Sequence, residues 1–179
     1  MARILILYAS EEGQTAKIVA QLATALRELG YTVDMLELSL PGCEGTLDTC
    51  DAVIVGAPIH VGHYPEPIRR FIVDHRQRLS ELPGAFFSVS LSAASSRPET
   101  REAVHSLHQQ FLAECGWGPR LTAEFGGALK YSQYGLAKRL LMRWISSREG
   151  GDTDTSRDYE YTDWKAVSHF AREFAATLA

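Results

Sequence analysis

A chain of 179 residues, 45% hydrophobic and 22% charged, is long enough to bury a core and suits one domain, residues 1–179. This composition excludes disordered, collagen-like and disulfide-framework proteins. The net charge of -4 gives no support for nucleic-acid binding, which usually requires a basic excess. Cys43, Cys50 and Cys115 form no Cys-x-x-Cys pair, which indicates reduced thiols in a cytoplasmic protein. No apolar stretch reaches the roughly 18 residues of a membrane-spanning helix, so we expect a soluble protein, or at most one that is peripheral on the inner face of the cell membrane.

Strand and helix signals alternate along the chain, which predicts a parallel sheet covered by helices on both faces. Leu29 is expected on the apolar face of the first helix, and Met35 on the same face of the second strand as Val33. The strands are predicted at Arg3–Tyr8, Thr32–Leu38, Ala52–Gly56, Ala85–Leu91 and Arg120–Phe125. The helices are predicted at Gln14–Leu29, Pro65–Leu79, Glu99–Cys115 and from about Thr162 onward. Residues 126–161 are too many for a plain loop and are interpreted as an insertion.

The turn between the first strand and first helix has the features of an anion site. A helix N-terminus offers unpaired N–H groups and the positive end of the helix dipole. Lysine is absent from this turn, and neither the Walker pattern nor the dinucleotide fingerprint G-x-G-x-x-G is present. The turn therefore suits a phosphomonoester held by neutral donors, although an ordinary turn capped by a hydroxyl explains it equally well. The candidate phosphate-binding residues are Ser10, Glu11, Glu12, Gly13, Gln14 and Thr15.

Two further loops follow the third and fourth predicted strands. Ligands of open parallel sheets lie beyond the carboxyl ends of the strands, where the strand order reverses. We therefore expect these loops to converge with the first one and to hold a flat ring system between them. The candidate residues are Pro58, Ile59, His60, Val61 and Gly62 in one loop, and Ser90, Leu91, Ser92 and Ala93 in the other.

The motifs together carry a family resemblance that spans almost the whole chain. Ser10-x-x-Gly13-Gln14-Thr15 resembles the flavodoxin phosphate loop. Its combination with the segments 56–64, 127–131, 150–155 and 161–164 resembles the flavodoxin-like, quinone-dependent protoporphyrinogen IX dehydrogenases of haem biosynthesis. The resemblance implies a flavodoxin-like three-layer sandwich with a five-stranded parallel sheet of order 2-1-3-4-5. It also implies FMN as cofactor, protoporphyrinogen IX as substrate of a six-electron oxidation, and a membrane quinone as acceptor.

The insertion contains a predicted basic amphipathic helix. Residues 129–149 hold five basic residues against one acidic residue, a net charge of +4. On a helical wheel, Lys138, Arg139 and Arg143 lie opposite the broad apolar face, which comprises Leu136, Ala137, Leu140, Leu141, Trp144 and Ile145. This pattern suits an anionic membrane surface or the two propionates of a porphyrinogen. It is equally typical of a helix that packs on the sheet with solvated basic residues.

His60 and His63 are candidate proton-transfer groups beside the ring site, although such histidines more often only bond the backbone of their loop. Neither His60-x-x-His63 nor His105-x-x-His108 has an obvious further ligand, so no metal is expected. Asp152 and Asp154 are interpreted as turn-forming residues. Three other functions remain to be weighed: an electron-shuttling flavodoxin, a nicotinamide-dependent quinone reductase and a receiver domain. The receiver domain is discounted because Gly56-Ala-Pro58 ends the third strand without an aspartate.

Overall fold

The computed structural model describes residues 2–38, 47–133, 135–148 and 152–178. Five parallel strands form one sheet in the order β2-β1-β3-β4-β5, which confirms the predicted flavodoxin-like topology. Within it the chain alternates strand and helix as expected. The elements are β1 (Arg3–Tyr8), α1 (Gln14–Glu28), β2 (Thr32–Glu37), β3 (Ala52–Pro58), α2 (Glu66–Glu81), β4 (Gly84–Ser90), α3 (Pro98–Cys115), β5 (Leu121–Gly126), β6 (Ala128–Leu129), α4 (Leu136–Arg148), β7 (Tyr159–Glu160) and α5 (Trp164–Ala176).

Two hydrophobic cores lie on opposite faces of the sheet. One contains α1 and α5 side chains such as Leu22 and Phe174, and the other contains α2 and α3 side chains such as Ile72 and Phe111. Strands β3 and β4 are buried along their whole length because both faces are covered. This explains why these strands are continuous apolar runs in the sequence.

Two core assignments made from periodicity are wrong. Leu29 is exposed because α1 ends at Glu28, and Leu29 is already the C-terminal cap. Met35 is exposed, whereas Val33 is buried in the α1 side of the core. Leu36 packs against the α2 side, so β2 uses both of its faces and a single alternation does not describe it.

The insertion folds into a small substructure of its own. β6 and β7 form an antiparallel pair that the sequence did not predict, with Ala128 opposite Glu160 and Leu129 opposite Tyr159. Tyr131 is fully buried beside this pair, and its hydroxyl donates to the Asp152 carbonyl over 3.0 Å. Leu129 is also buried, and the partly buried side chains packed against this minor core are Leu91, Met142, Tyr159 and Tyr161.

Helix α4 is present as predicted, but three of its described apolar residues are exposed. Leu136 is 80% exposed, Leu140 65% and Trp144 55%. The side that faces the protein comprises Arg139, Met142 and Ser146. The side chains of Ala137, Lys138, Leu141 and Ile145, which belong to the predicted faces, lie outside the described part of the structure. None of the described helices is both long and apolar enough to span a bilayer.

Candidate functional site at the carboxyl edge of the sheet

The first loop joins β1 to α1 and begins the candidate site. Gly13 is the N-cap of α1 with a φ of 82°, a left-handed conformation that glycine adopts without strain. Because Gly13 has no side chain, it cannot accept a hydrogen bond from the N–H groups of the first turn, as a serine at the N-cap would. The Ser10 hydroxyl accepts from the Ala16 N–H over 3.3 Å. The capped-turn alternative is thus partly correct, since one hydroxyl does cap a backbone N–H.

The second loop follows β3 and closes in a tight hairpin turn. His60 and His63 exchange two backbone hydrogen bonds of 2.9 Å across Val61 and Gly62. The φ angles of Val61 and Gly62 are 49° and 75°, the pattern of a type I′ turn. A left-handed conformation is unfavourable for a β-branched residue, and the Val61 side chain is 89% exposed. The loop therefore holds a strained apolar side chain at the surface, a feature that is common where a ligand binds.

The third loop follows β4 and is stabilised by its own turn. The Ser90 hydroxyl is buried and accepts from the Ala93 N–H over 3.1 Å. Residues Ser92–Ala94 form a short 3-10 turn directly after it. The Ser90 hydroxyl thus caps the turn and keeps its own O–H for a further hydrogen bond.

Contacts between neighbouring loops bring all three together at one edge of the sheet, as the sequence predicted. Glu11 of the first loop lies 3.4 Å from His60 of the second, measured from Oε2 to Nε2. The Ile59 N–H donates to the Val89 carbonyl over 2.8 Å, which fixes the second loop against β4. The first and second loops and the end of β4 therefore border one region at the edge of the sheet, and the His60 side chain faces Glu11 there.

The insertion also reaches this edge, which sequence reasoning missed. Lys130 Nζ donates to the Glu12 carbonyl, so a lysine does lie at the first loop although the loop itself has none. Gln14 Nε2 donates to Thr162 Oγ1 over 2.9 Å and to Glu160 Oε2 over 3.1 Å. Lys130 follows Gly13 by more than a hundred positions, and no local pattern relates them. The family motif at residues 127–131 and the basic excess of residues 129–149 singled out this segment, but neither predicted that Lys130 lies at the first loop.

Close approach of the insertion to the sheet depends on glycine. A Cβ on Gly126 would lie 2.4 Å from the Tyr161 carbonyl oxygen, which no side chain permits. The Gly127 N–H donates to the Ser90 carbonyl over 2.9 Å, so the third loop and the insertion are also joined. Thr162 Oγ1 donates to the Gly126 carbonyl over 2.7 Å and completes the attachment.

Burial and hydrogen bonds set the ionisation of Glu160, where the insertion contacts α1. Burial raises its pKa, but hydrogen bonds from Lys17, Trp164 and Gln14 outweigh this effect and leave the pKa below its usual range. Lys17 Nζ lies 3.1 Å from Glu160 Oε2. Glu160 is thus a carboxylate at neutral pH and links the insertion to α1.

A buried polar cluster lies between β4 and α3, on the α2 and α3 side of the sheet. His108 is 1% exposed, and its Nδ1 lies 3.1 Å from the Ser88 hydroxyl. Burial lowers the pKa of His108 to about 4, so the ring is neutral at physiological pH. Burial also raises the pKa of Tyr64, whose ring stacks on Phe111. His105 is paired with Glu124 over 2.9 Å, yet among the described residues no group of three side chains is arranged to hold a metal ion.

The three basic residues predicted for substrate or membrane contact have different environments. Arg139 is partly buried and donates from Nη2 to the Tyr131 carbonyl over 3.0 Å. The alternative of solvated basic residues therefore does not describe Arg139, because the helix turns this residue toward the protein. Arg143 is exposed. The Lys138 side chain lies outside the described residues. In the nearby turn, the Asp154 carboxylate accepts from the Ser156 N–H over 3.0 Å, the turn-forming role expected for it.

Comparisons with known proteins identify the family. A family model described as a flavodoxin domain matches residues 5–156. The protoporphyrinogen IX dehydrogenase (quinone) of Escherichia coli strain K12 is 36% identical over 173 residues, which cover 97% of this chain and 94% of that protein. The Leishmania major protein of the same name is 34% identical over 175 residues, covering 97% of this chain and 75% of that protein.

Solved structures agree with this assignment at the level of the fold. Oxidised Flavodoxin 1 from Bacillus cereus superimposes with a TM-score of 0.62 at 17% identity, covering 99% of this chain and 100% of that chain. A short-chain flavodoxin associated with a non-canonical PDU bacterial microcompartment gives a TM-score of 0.61 at 15% identity, with both chains fully covered. The chain therefore belongs to the flavodoxin-domain family of quinone-dependent protoporphyrinogen IX dehydrogenases.

Proposed function

We propose that this protein is an FMN enzyme that oxidises protoporphyrinogen IX to protoporphyrin IX and passes the electrons to a membrane quinone. The observation that carries the proposal is the 36% identity over 97% of the chain to a protein of that name, since the match includes the insertion as well as the sheet. Each turnover to the porphyrin removes six electrons and six protons from the macrocycle. Three quinones take these up and become three quinols.

The residues at the carboxyl edge fit FMN. Gly13 places no side chain at the N-terminus of α1, and the first turn of that helix holds no acidic residue. A Cβ on Gly13 would approach only Lys130 Nζ, at 3.4 Å, so the turn is open to a ligand. Gln14 Oε1 in the same turn is buried and makes no hydrogen bond within the described part of the chain, as expected of a polar atom that meets a ligand.

Each of the three loops has a distinct proposed role in holding FMN. The turn at residues 10–15 would hold the phosphate, and the loops at 58–62 and 90–93 would enclose the flat ring. Bound FMN supplies the redox chemistry, because a flavin accepts an electron pair from the macrocycle and can pass electrons on singly or in pairs. His60 and His63, in the second loop, are the proposed proton-transfer groups beside the ring site.

Anaerobic flavin reduction tests the proposed reaction directly. The purified protein is loaded with FMN, mixed with protoporphyrinogen IX in the absence of oxygen, and then mixed with a quinone. We expect the porphyrinogen to bleach the oxidised flavin spectrum and the quinone to restore it. If NADPH bleaches the flavin while the porphyrinogen leaves it oxidised, the protein is a nicotinamide-dependent quinone reductase and the proposal is wrong. If neither donor bleaches it, an electron-shuttling flavodoxin becomes the better assignment.

We further propose that α4 places the enzyme on an anionic membrane surface, where a membrane quinone is available. Leu136 and Leu140 are separated by one helical turn and point away from the protein, and Arg143 is exposed beside them. An exposed apolar row with flanking basic residues is the pattern of a helix that lies in the lipid interface. The alternative role for the basic residues, pairing with the propionates of the substrate, has no equivalent explanation for the exposed leucines.

Vesicle sedimentation tests this placement. We expect the double substitution Leu136→Ser and Leu140→Ser to lower binding to vesicles that contain phosphatidylglycerol, and Arg143→Glu to lower it further. Leu29→Ser is the matched control, since Leu29 is an exposed leucine at the C-terminal end of α1 and not in the insertion. Arg139 is left unchanged because it donates to Tyr131 and its loss would disturb the insertion. Equal binding of all variants would exclude α4 as the membrane contact.

A further inference from the structure

The phosphate loop poses an electrostatic problem for a phosphomonoester. It contains two adjacent carboxylates, Glu11 and Glu12, and the Glu11 side chain is 60% exposed. A phosphomonoester carries a charge of about −1.5 to −2 at pH 7. The N-terminus of a helix contributes only about half a positive charge. The loop by itself is therefore a poor anion site at neutral pH, in spite of its favourable backbone.

The insertion supplies a cation at the position where this problem arises. Lys130 lies directly after β6, and its Nζ donates to the Glu12 carbonyl. The same nitrogen is 3.4 Å from the place that a Cβ on Gly13 would occupy, so it lies over the glycine at the N-cap of α1. Lys130 is partly buried there, where charge interactions are screened less than at the surface.

Several contacts position the segment that carries this lysine. The Gly127 N–H is bonded to Ser90, and the Ala128–Glu160 pair holds β6 against β7. Glu160 is in turn bonded to Gln14 and Lys17 of α1. The lysine is thus attached through the sheet on one side and through the first helix on the other. A side chain held in this way does not have to be ordered when the ligand arrives.

We propose that Lys130 is the cation of the phosphate site and gives this protein its preference for FMN over riboflavin. The inference rests on the proposed function, because it assumes that the loop at residues 10–15 receives the phosphate of FMN. It adds a residue from the insertion to the cofactor site. The insertion then contributes to cofactor binding as well as to any contact with substrate or membrane.

Equilibrium binding to the apo-protein tests this role without any measurement of activity. Titrations with FMN and with riboflavin are compared in the wild type, in Lys130→Met, which removes the charge, and in Lys130→Arg, which keeps it. We expect Lys130→Met to weaken FMN binding by about tenfold, as the loss of one partly buried charge pair does, and to leave riboflavin binding unchanged. Lys130→Arg is expected to remain close to the wild type. Lys165→Met, a change to an exposed lysine on α5, is the matched control and should alter neither affinity.

Salt and pH separate a role of charge from a role in holding the loop. If the charge matters, FMN affinity falls more steeply with ionic strength in the wild type than in Lys130→Met. It also rises more steeply in the wild type between about pH 5 and 7, where the phosphate loses its second proton. Lys130→Gln, which keeps a hydrogen-bond donor without the charge, should behave as Lys130→Met does.

The outcomes of this experiment are distinguishable. If the wild type binds FMN more tightly than riboflavin and Lys130→Met does the same to the same degree, the role of Lys130 is overturned and FMN binding stands. The role is also overturned if Lys130→Met weakens both ligands equally, or if Lys130→Gln retains full FMN affinity, because the lysine then only supports the loop. If the wild type binds neither flavin, the proposed function itself fails.

Discussion

Helices α1 and α4 have the same kind of apolar periodicity, but the apolar row of α1 is buried and that of α4 at Leu136 and Leu140 is exposed. In α1 the apolar row is buried against the sheet, and Leu22 is fully inaccessible. In α4 the apolar row at Leu136 and Leu140 is exposed, and Arg139 and Met142 face the protein instead. Periodicity thus predicts that a helix has an apolar face, but it does not predict which surface covers that face.

The physical difference between the two helices lies in what surrounds them. α1 connects the parallel strands β1 and β2. Such a crossover helix packs on the face of the sheet, so its apolar face is buried there. α4 lies in an insertion attached at the edge of the sheet, where β6, β7 and Tyr131 already form a small core. Among the described residues, that core contains Met142 and tyrosine side chains, and it contains neither Leu136 nor Leu140. The exposed row is therefore available for an external surface.

The largest expected effect comes from truncating equivalent leucines in the two helices. Leu22→Ala should lower the free energy of unfolding by about 2–5 kcal/mol, because it leaves a cavity in a closed core. Leu140→Ala should change it by less than about 0.5 kcal/mol, because the side chain is already exposed. Urea denaturation of both variants measures this. Similar losses in the two variants would show that α4 buries its apolar row in solution.

The second prediction concerns His108 in the buried polar cluster between β4 and α3. Since the pKa of His108 is lowered from 6.5 to about 4 in the folded protein, the unfolded chain binds the proton more strongly. Stability is therefore complete above about pH 6.5 and falls as the pH decreases toward 4, by up to about 3 kcal/mol. His108→Gln should be less stable at neutral pH but should lose this part of the pH dependence. The exposed His169 provides the control His169→Gln, which should keep the wild-type slope. An unchanged slope in His108→Gln would contradict the assignment.

A third prediction addresses the hydrogen bonds that attach the insertion to α1 and β5. Thr162→Val removes the hydroxyl that bonds both Gln14 and the Gly126 carbonyl, and it leaves these buried groups without that partner. We expect a loss of about 1–3 kcal/mol in the free energy of unfolding. Thr177→Val at the end of α5 is a milder control, since its hydroxyl bonds only the Phe174 carbonyl near the C-terminus. Faster proteolysis within residues 128–160 should accompany the first change and not the second.

The smallest effect is expected at Val61, the exposed apolar residue of the second loop. Asparagine tolerates the left-handed conformation that valine is forced to adopt there, so Val61→Asn should stabilise the apo-protein by up to about 1 kcal/mol. The same change should weaken flavin binding if the valine side chain contacts the ring. Thermal unfolding and flavin titration measure the two effects. A loss of stability would show that the turn is not strained.

The sequence alone was sufficient to predict the strands and helices of the five-stranded sheet domain, without the insertion. Continuous apolar runs such as Ile4–Leu7 occur where both faces of a strand are covered, and the small-residue loops after β1, β3 and β4 mark the carboxyl edge of a parallel sheet. These signals are local in the chain, because each depends on the spacing of residues within one element. They were therefore enough to predict a parallel sheet and the place of the candidate site, whereas the strand order 2-1-3-4-5 was implied by the family resemblance.

Tertiary structure decided what depends on contacts between distant segments. The β6–β7 pair is too short to give a strand signal, and Lys130 lies at the phosphate loop only because Gly126 and Gly127 let the chain pass close to β4 and Tyr161. The orientation of α4 was likewise not determined by its own periodicity, since an amphipathic helix can turn its apolar face toward the protein or away from it. Which one occurs depends on whether the rest of the fold has apolar surface left to cover.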